Sequence, residues 1–265
     1  MVRYTFCRWI GGKEWLWKLL KPYLVIDRNP IYIEPFLGGG AIALHYIKWC
    51  RKHRVTKQFI LSDTNSGLIN AYVQIRDNFE RLRDFLDELD VADSTKELYN
   101  ERRNEYNSIP KNDVRSAALF IWLMANSWRG LYRVNRNGQY NTPFGEPKAK
   151  CYNAENLLSV HHLLQDVKIR CCSYTEVPEN GLIYMDPPYV NVYQQYSLMA
   201  PTNEEINNFI RSRVDRATIL ISNNQHFIPP DDAELLIHTS VCERAETYNG
   251  SRRNEYVWRC SANTV

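Results

Sequence analysis

The residues best suited to chemistry are Asp186-Pro187-Pro188-Tyr189, directly after the apolar run Leu182-Ile183-Tyr184-Met185. That run reads as a short buried strand, and two consecutive prolines end it because neither ring can donate a ladder hydrogen bond. A carboxylate at the carboxyl end of a strand, a stiff corner with free backbone carbonyls and an aromatic ring together offer acceptors and a flat stacking face. A planar, amino-bearing base needs those two things. Read blandly, the same four residues are an ordinary turn, so the rest of the chain has to decide.

A second constellation lies near the amino terminus. Ile31-Tyr32-Ile33 reads as a strand, followed by Glu34-Pro35-Phe36-Leu37-Gly38-Gly39-Gly40 and the helix-forming Ala41-Ile42-Ala43-Leu44. Strand, glycine loop and helix open a dinucleotide-type βαβ unit, in which glycine lets the backbone come close to a cofactor. The spacing is not G-x-G-x-x-G, so no pyrophosphate is implied. The next strand, Phe59-Ile60-Leu61, ends at Ser62-Asp63-Thr64-Asn65, which puts Asp63 where such folds hold ribose hydroxyls, or else where it caps the following helix. Further upstream, Trp9-Ile10-Gly11-Gly12-Lys13 precedes apolar positions spaced by three and four. This predicts a helix starting just past the glycines, with Lys13 in its first turn and an anion-holding N-terminus.

Residues 126 to 150 differ in composition. They carry Arg129, Arg133, Arg136, Lys148 and Lys150 against Glu146 alone, interleaved with aromatics. Asn137-Gly138 between two alternating arms predicts a β-hairpin. Cations that neutralise phosphates beside Asn, Gln and Arg that can read base edges suit a nucleic-acid groove; an exposed basic hairpin without a partner is the plainer alternative. Alternation predicts Arg133 and Asn135 on one face, with Tyr140 across from them and Arg136 near the tip.

The elements that must position these residues alternate between strand and helix. Helices are expected over about 68 to 110, with a break near 90 to 94, and over 114 to 127, 153 to 165 and 203 to 214. Strands are expected over 167 to 172, 182 to 185, 217 to 221, 235 to 238 and 256 to 260. This predicts an α/β fold with a mostly parallel sheet covered on both faces. A chain of 265 residues is long enough for one such domain with an inserted subdomain. Its net charge of +3 is too small to argue for a polyanionic partner by itself. The seven cysteines form no C-x-x-C pair, which favours reduced thiols in a cytoplasm-like compartment. No apolar run approaches the roughly 20 residues of a membrane helix. His45, His161, His162 and His226 show no ligand spacing with any cysteine pair, so no metal is expected.

In linear order, Trp9…Gly11-Gly12-Lys13, Glu34-Pro35-Phe36…Gly38-Gly39-Gly40, Asp63…Asn65, the Arg133-to-Gly145 hairpin, Asp186-Pro187-Pro188-Tyr189, Ser222-Asn223 and Arg252…Glu255 resemble the Dam-type (D12 class, alpha group) DNA adenine N6-methyltransferases along essentially the whole chain. The resemblance implies a Rossmann-like S-adenosylmethionine-dependent methyltransferase fold. Residues 1–75 and 151–265 would form the catalytic domain, and residues 76–150 a helical and β-hairpin target-recognition insertion. It implies Asp186, Pro187, Pro188 and Tyr189 as the catalytic motif. The implied cofactor contacts are Trp9, Lys13, Glu34, Phe36, Gly38, Gly40, Asp63 and Asp186; Arg129, Arg133, Asn135, Arg136 and Tyr140 would face DNA. The expected partner is double-stranded DNA, read by a monomer or weak dimer, with GATC as the family's commonest site. Two departures bear on the sequence read: Arg129 stands where many members have Asn, and the loop from 190 to 201 is short. An N4-cytosine methyltransferase, which more often carries Ser before Pro-Pro-Tyr, and a non-catalytic DNA-binding relative remain the alternatives.

Overall fold

The computed structural model describes residues 4–90, 94–146, 150–189, 200–242 and 252–262. Lys148, residues 190–199 of the loop after Tyr189, and Tyr248-Asn249-Gly250-Ser251 lie outside these. Strands β1 (Ile31–Glu34), β2 (Gln58–Asp63), β3 (Lys168–Cys171), β4 (Gly181–Met185), β5 (Ala217–Asn223), β6 (Glu234–Cys242) and β7 (Arg252–Cys260) form one sheet. Its order is β3-β2-β1-β4-β5-β7-β6. All neighbours run parallel except β7, which lies antiparallel between β5 and β6. The chain therefore winds outward in both directions from the β1–β4 pair, a switch point that leaves a crevice at the strands' carboxyl ends. This is a Rossmann-like sheet, as the resemblance implies.

Strand β4 is buried at all five positions, as a central parallel strand covered on both faces must be. Alternate side chains divide into two cores: Tyr32 and Tyr184 enter the larger, Ile33 and Ile183 the smaller. Helix α8 (Asn203–Arg211) covers the smaller through Ile206, Phe209 and Ile210. The larger side is covered by α1 (Trp17–Ile26), α2 (Ala41–Lys52), α3 (Ser66–Asp77) and α7 (Ala154–Leu164), and continues into α4 (Phe79–Leu89), α5 (Lys96–Ser108) and α6 (Val114–Asn126). Helix α6 is apolar nearly all round and is the buried axis of this group, with Asp113 and Ser116 closing a capping box at its start. Leu61 and Leu68 belong to the same apolar cluster as Leu119 and Trp122. The helical part of the 76–150 segment thus shares its core with the sheet.

Two expectations are corrected. Helix α1 begins at Trp17, not just past the glycines, because Gly12 and Leu16 close successive turns onto Trp9 and Lys13. The Gly11-Gly12 turn is therefore not the N-terminus of α1. The second is the hairpin, expected as two alternating arms about Asn137-Gly138: its arms are joined by the isolated bridge Val134–Tyr140 and not by paired strands, and in its turn Gly138 N–H donates to Asn135 O at 2.9 Å with Gly138 at positive φ (74°). Arg136 and Asn137 are then the central residues, with glycine relieving the left-handed position after them.

Because one core spans α6 and the sheet, Trp122→Ala should cost about 3–5 kcal/mol, lost in a single cooperative transition. Urea unfolding followed by far-UV and near-UV signals checks this. Two separated transitions would show that the helical segment folds on its own.

Candidate active site

Several segments meet around the carboxyl ends of β1, β2 and β4. Glu34 ends β1, Asp63 ends β2, and Asp186 follows β4. The Asp186 carboxylate is held on both oxygens: Lys13 Nζ lies 2.9 Å from Oδ2, and the Ser222 hydroxyl donates to Oδ1 at 3.1 Å. Ser222, fully buried on neighbouring β5, also meets the Tyr184 hydroxyl at 2.9 Å. Lys13 donates a second hydrogen bond to Gly11 O at 2.8 Å, and its ammonium lies 4.8 Å from the Tyr189 ring centroid. Freed from any helix, Lys13 turns inward and is only 6% exposed. The buried Tyr189 hydroxyl donates to the buried carboxylate of Glu255 on β7. Pro187 is buried and Pro188 half-buried between these groups in sequence.

The glycine loop is fixed from both sides. Asp63 Oδ2 accepts from Gly38 N–H at 2.9 Å and Oδ1 from Asn65 N–H at 2.9 Å. The cap of α3 is Asn65, accepting from Leu68 N–H at 3.0 Å, so capping is not Asp63's task. Gly38 has φ of 47° and Gly40 of 66°. A Cβ at Gly38 would come within 2.9 Å of Trp9 Nε1, and one at Gly40 within 2.6 Å of the Tyr72 hydroxyl, so glycine is required at both. Trp9 packs over this loop on one side and stacks on Tyr132 of the hairpin segment on the other, with centroids 5.8 Å apart. Phe36 stacks on Tyr174 at 5.2 Å. Burial raises the Asp63 carboxyl above its ordinary range against the N–H donors that lower it. Burial pushes Glu34 up to about 8, opposed by the Tyr32 hydroxyl it accepts and reinforced by the Asp186 charge.

The five residues expected to face DNA separate. Arg129 and Arg136 are exposed, Arg129 lying over the Trp128 ring at 4.4 Å with φ of 57°. Arg133 is bound to Asn141 through Nε at 2.8 Å and Nη2 at 2.9 Å. Asn135 uses its amide inside the loop, accepting from Asn137 and Gln139 N–H and donating to Gln139 Oε1. Tyr140 is corrected as a surface contact. It is 3% exposed, packs beside Tyr106 and Tyr132, and is clamped through its backbone by Asn107. Its ring supports the hairpin from beneath, since the α5 helix supplies an apolar floor that alternation along the hairpin does not reveal. Sequence reasoning gives no role to three site residues: Ser222 and Glu255 stand only in the resembling string, and Tyr132 falls just before its hairpin. Among the described residues no group of three or more His, Cys, Asp or Glu is placed to hold a metal ion, and no helix is long and apolar enough to cross a membrane.

A carboxylate, a ring face and a glycine loop at a switch point define a site that can hold a nucleoside-bearing cofactor beside an amine. The chain belongs to the D12 class N6 adenine-specific DNA methyltransferases, whose family profile matches residues 9–236. It is thus an enzyme of adenine N6 methylation in DNA. Among its relatives, the type II methyltransferase M.MjaIII of Methanocaldococcus jannaschii is 33% identical, with 96% of each chain covered. The type II methyltransferase M1.LlaDCHI of Lactococcus lactis subsp. cremoris is 30% identical over 75% of this chain and 70% of its own. The DNA adenine methylase of Escherichia coli K12 is 26% identical over 95% of this chain and 92% of its own.

The unfolded Glu34 carboxyl ionises near 4.5 and the folded one near 8, so between those values the native state binds more protons and stability falls as pH rises. Glu34→Gln should remove that slope while leaving the rest of the pH profile. Urea unfolding across the window checks it; parallel profiles for wild type and variant would rule out a buried, protonated Glu34.

Proposed function

We propose that the chain transfers the methyl group of S-adenosylmethionine to the N6 amino group of an adenine extruded from a specific double-stranded DNA sequence, with GATC the first candidate. One observation carries this reading. The Asp186 carboxylate and the Tyr189 ring converge on a single point, and an amine nitrogen, Lys13 Nζ, already stands there. A target amino group needs the same surroundings: an anionic acceptor within hydrogen-bond distance and a flat face for its ring.

The residues fit the cofactor. Asp63 holds the Gly38 N–H, and glycine at 38 and 40 lets Trp9 and Tyr72 pack against the loop, which fixes its backbone at the crevice. The acidic groups at the ends of β1, β2 and β4 suit ribose hydroxyls and cationic centres, and Trp9 and Phe36 supply aromatic walls. Asp63 is the residue for the ribose, and Lys13, once it leaves Asp186, for a carboxylate near the entrance. When bound, S-adenosylmethionine supplies an electrophilic methyl on a sulfonium leaving group.

The protein's part is to position and to hold protons. Inside a duplex the adenine amino group is shielded, so the base must be flipped into the pocket. Tyr189 stacks on the base, and Asp186 with the Pro187 carbonyl accepts the two amino hydrogens, turning the nitrogen lone pair towards the methyl. Such alignment is worth up to roughly 7–11 kcal/mol of barrier. Asp186 need not be a strong base, because the proton can leave after the methyl arrives. Ser222 and Tyr184 keep the carboxylate in one orientation. The exposed Arg136 and Arg129 suit phosphates, while Arg133, braced by Asn141, is the hairpin residue for a base edge.

Incubation with S-adenosylmethionine and DNA, nucleoside analysis and methylome sequencing test the reading. N6-methyladenine in one strict motif is expected, and N4-methylcytosine or no product would overturn it. Asp186→Ala should abolish transfer, and Tyr189→Ala should cost on the order of 1–3 kcal/mol in transfer efficiency. Asp63→Ala should raise the cofactor Kd with the fold intact by circular dichroism; unchanged affinity by calorimetry would confine Asp63 to bracing the Gly38 loop.

A further inference from the structure

Stacking on a base requires only the ring of Tyr189, and phenylalanine would supply the same face. The chain instead buries a phenol and a carboxylate together, Tyr189 at 7% and Glu255 at 4% exposure, and joins them by a hydrogen bond across 66 residues. Buried polar and charged groups are costly unless they satisfy one another, so the pair specifies geometry at the expense of simple packing. Glu255 is well placed to do so. It sits on β7, opposite Thr239 of β6 and next to Tyr256, which pairs with Asn223 at the end of β5, so its backbone is fixed in one ladder and adjoins the end of the other. Lys13 also touches Tyr189, but over the ring face that a base would cover. The Glu255 contact is at the ring's edge and can persist when the face is occupied.

We propose that Glu255 is a positioning residue for methyl transfer: by accepting the Tyr189 hydroxyl hydrogen it sets the plane of the ring on which the extruded adenine stacks, and so the height of the amino nitrogen relative to Asp186. The proposal rests on the base-stacking role of Tyr189. Burial, together with the charges of Asp186 and Glu255, keeps the Tyr189 phenol protonated well above its ordinary range, so it remains a donor at any working pH.

The test measures kcat and KM for DNA with Glu255→Ala, Glu255→Gln, Tyr189→Phe and the Glu255→Ala/Tyr189→Phe double variant. In parallel, duplex carrying 2-aminopurine at the target position reports base extrusion and stacking by fluorescence without methyl transfer. Losing a hydrogen bond to a charged group should lower kcat roughly ten- to a hundredfold, with KM within about threefold. Glu255→Gln should restore most of it, since the amide oxygen accepts the same bond. The double variant should be no worse than the poorer single one, because both remove one interaction. The 2-aminopurine signal of Glu255→Ala and of Tyr189→Phe should change alike.

Wild-type kcat for Glu255→Ala, or losses that multiply in the double variant, overturn the proposal. Should Glu255→Ala fail to fold, Tyr189→Phe decides alone, since it removes the bond and keeps the ring: a kcat loss supports the assignment and wild-type kcat overturns it. A Tyr189→Ala enzyme with wild-type transfer efficiency would sink the stacking role itself, whereas an impaired Tyr189→Ala beside an unimpaired Glu255→Ala sinks only the role of Glu255.

Discussion

The ion pair between Lys13 and Asp186 is the contact around which the site is organised. Both side chains are largely withdrawn from water, 7% and 19% exposed, and a buried charge is tolerable only when it is paired and hydrogen-bonded. Each member meets that condition through a different part of the chain: Asp186 through Ser222 on β5, Lys13 through Gly11 in the amino-terminal turn. The pair therefore ties the first segment of the protein to the centre of the sheet, across the crevice that the parallel topology opens.

Anionic groups crowd the same edge, since three adjacent strands end in Glu34, Asp63 and Asp186. The molecule separates them by chemistry as much as by distance. Asp186 has the ammonium and a hydroxyl, Asp63 has backbone N–H groups, and Glu34, deep on β1 with the Tyr32 hydroxyl, keeps its proton to about pH 8. A neutral acid beside an ionised one limits like-charge repulsion where the switch point would otherwise concentrate it.

Much of this was legible in the sequence, for physical reasons that also mark where legibility ends. Strands β1, β2, β4 and β5 are covered on both faces, so their residues form short apolar runs, and the polar residues that interrupt those runs, Glu34, Asp63, Asp186 and Ser222, fall at the carboxyl ends where ligands bind in such sheets. Glycines at 38 and 40 suggested a close approach to the backbone, and in the structure both take left-handed φ with Trp9 and Tyr72 packed against them. Long-range pairings were not legible. Nothing local to Glu255 says that it meets a hydroxyl 66 residues earlier, and a Gly-Gly-Lys string reads as a helix start until the turn at Lys13 is seen to close first. The hairpin misled in one respect: alternation separates two faces but does not say which is floored, and α5 turns the Tyr140 side into interior.

Trp9 lies between the glycine loop and Tyr132, so a single indole is the party wall between the crevice at the strand ends and the base of the hairpin. A lineage that exchanged this hairpin for another would have to keep an aromatic at the Tyr132 position, or repack the glycine loop at the same time. Divergence is then easiest at the tip, around Arg136, where the chain touches solvent, and slowest at the root. The shared ring makes any change at the hairpin's root answerable to the geometry of the glycine loop.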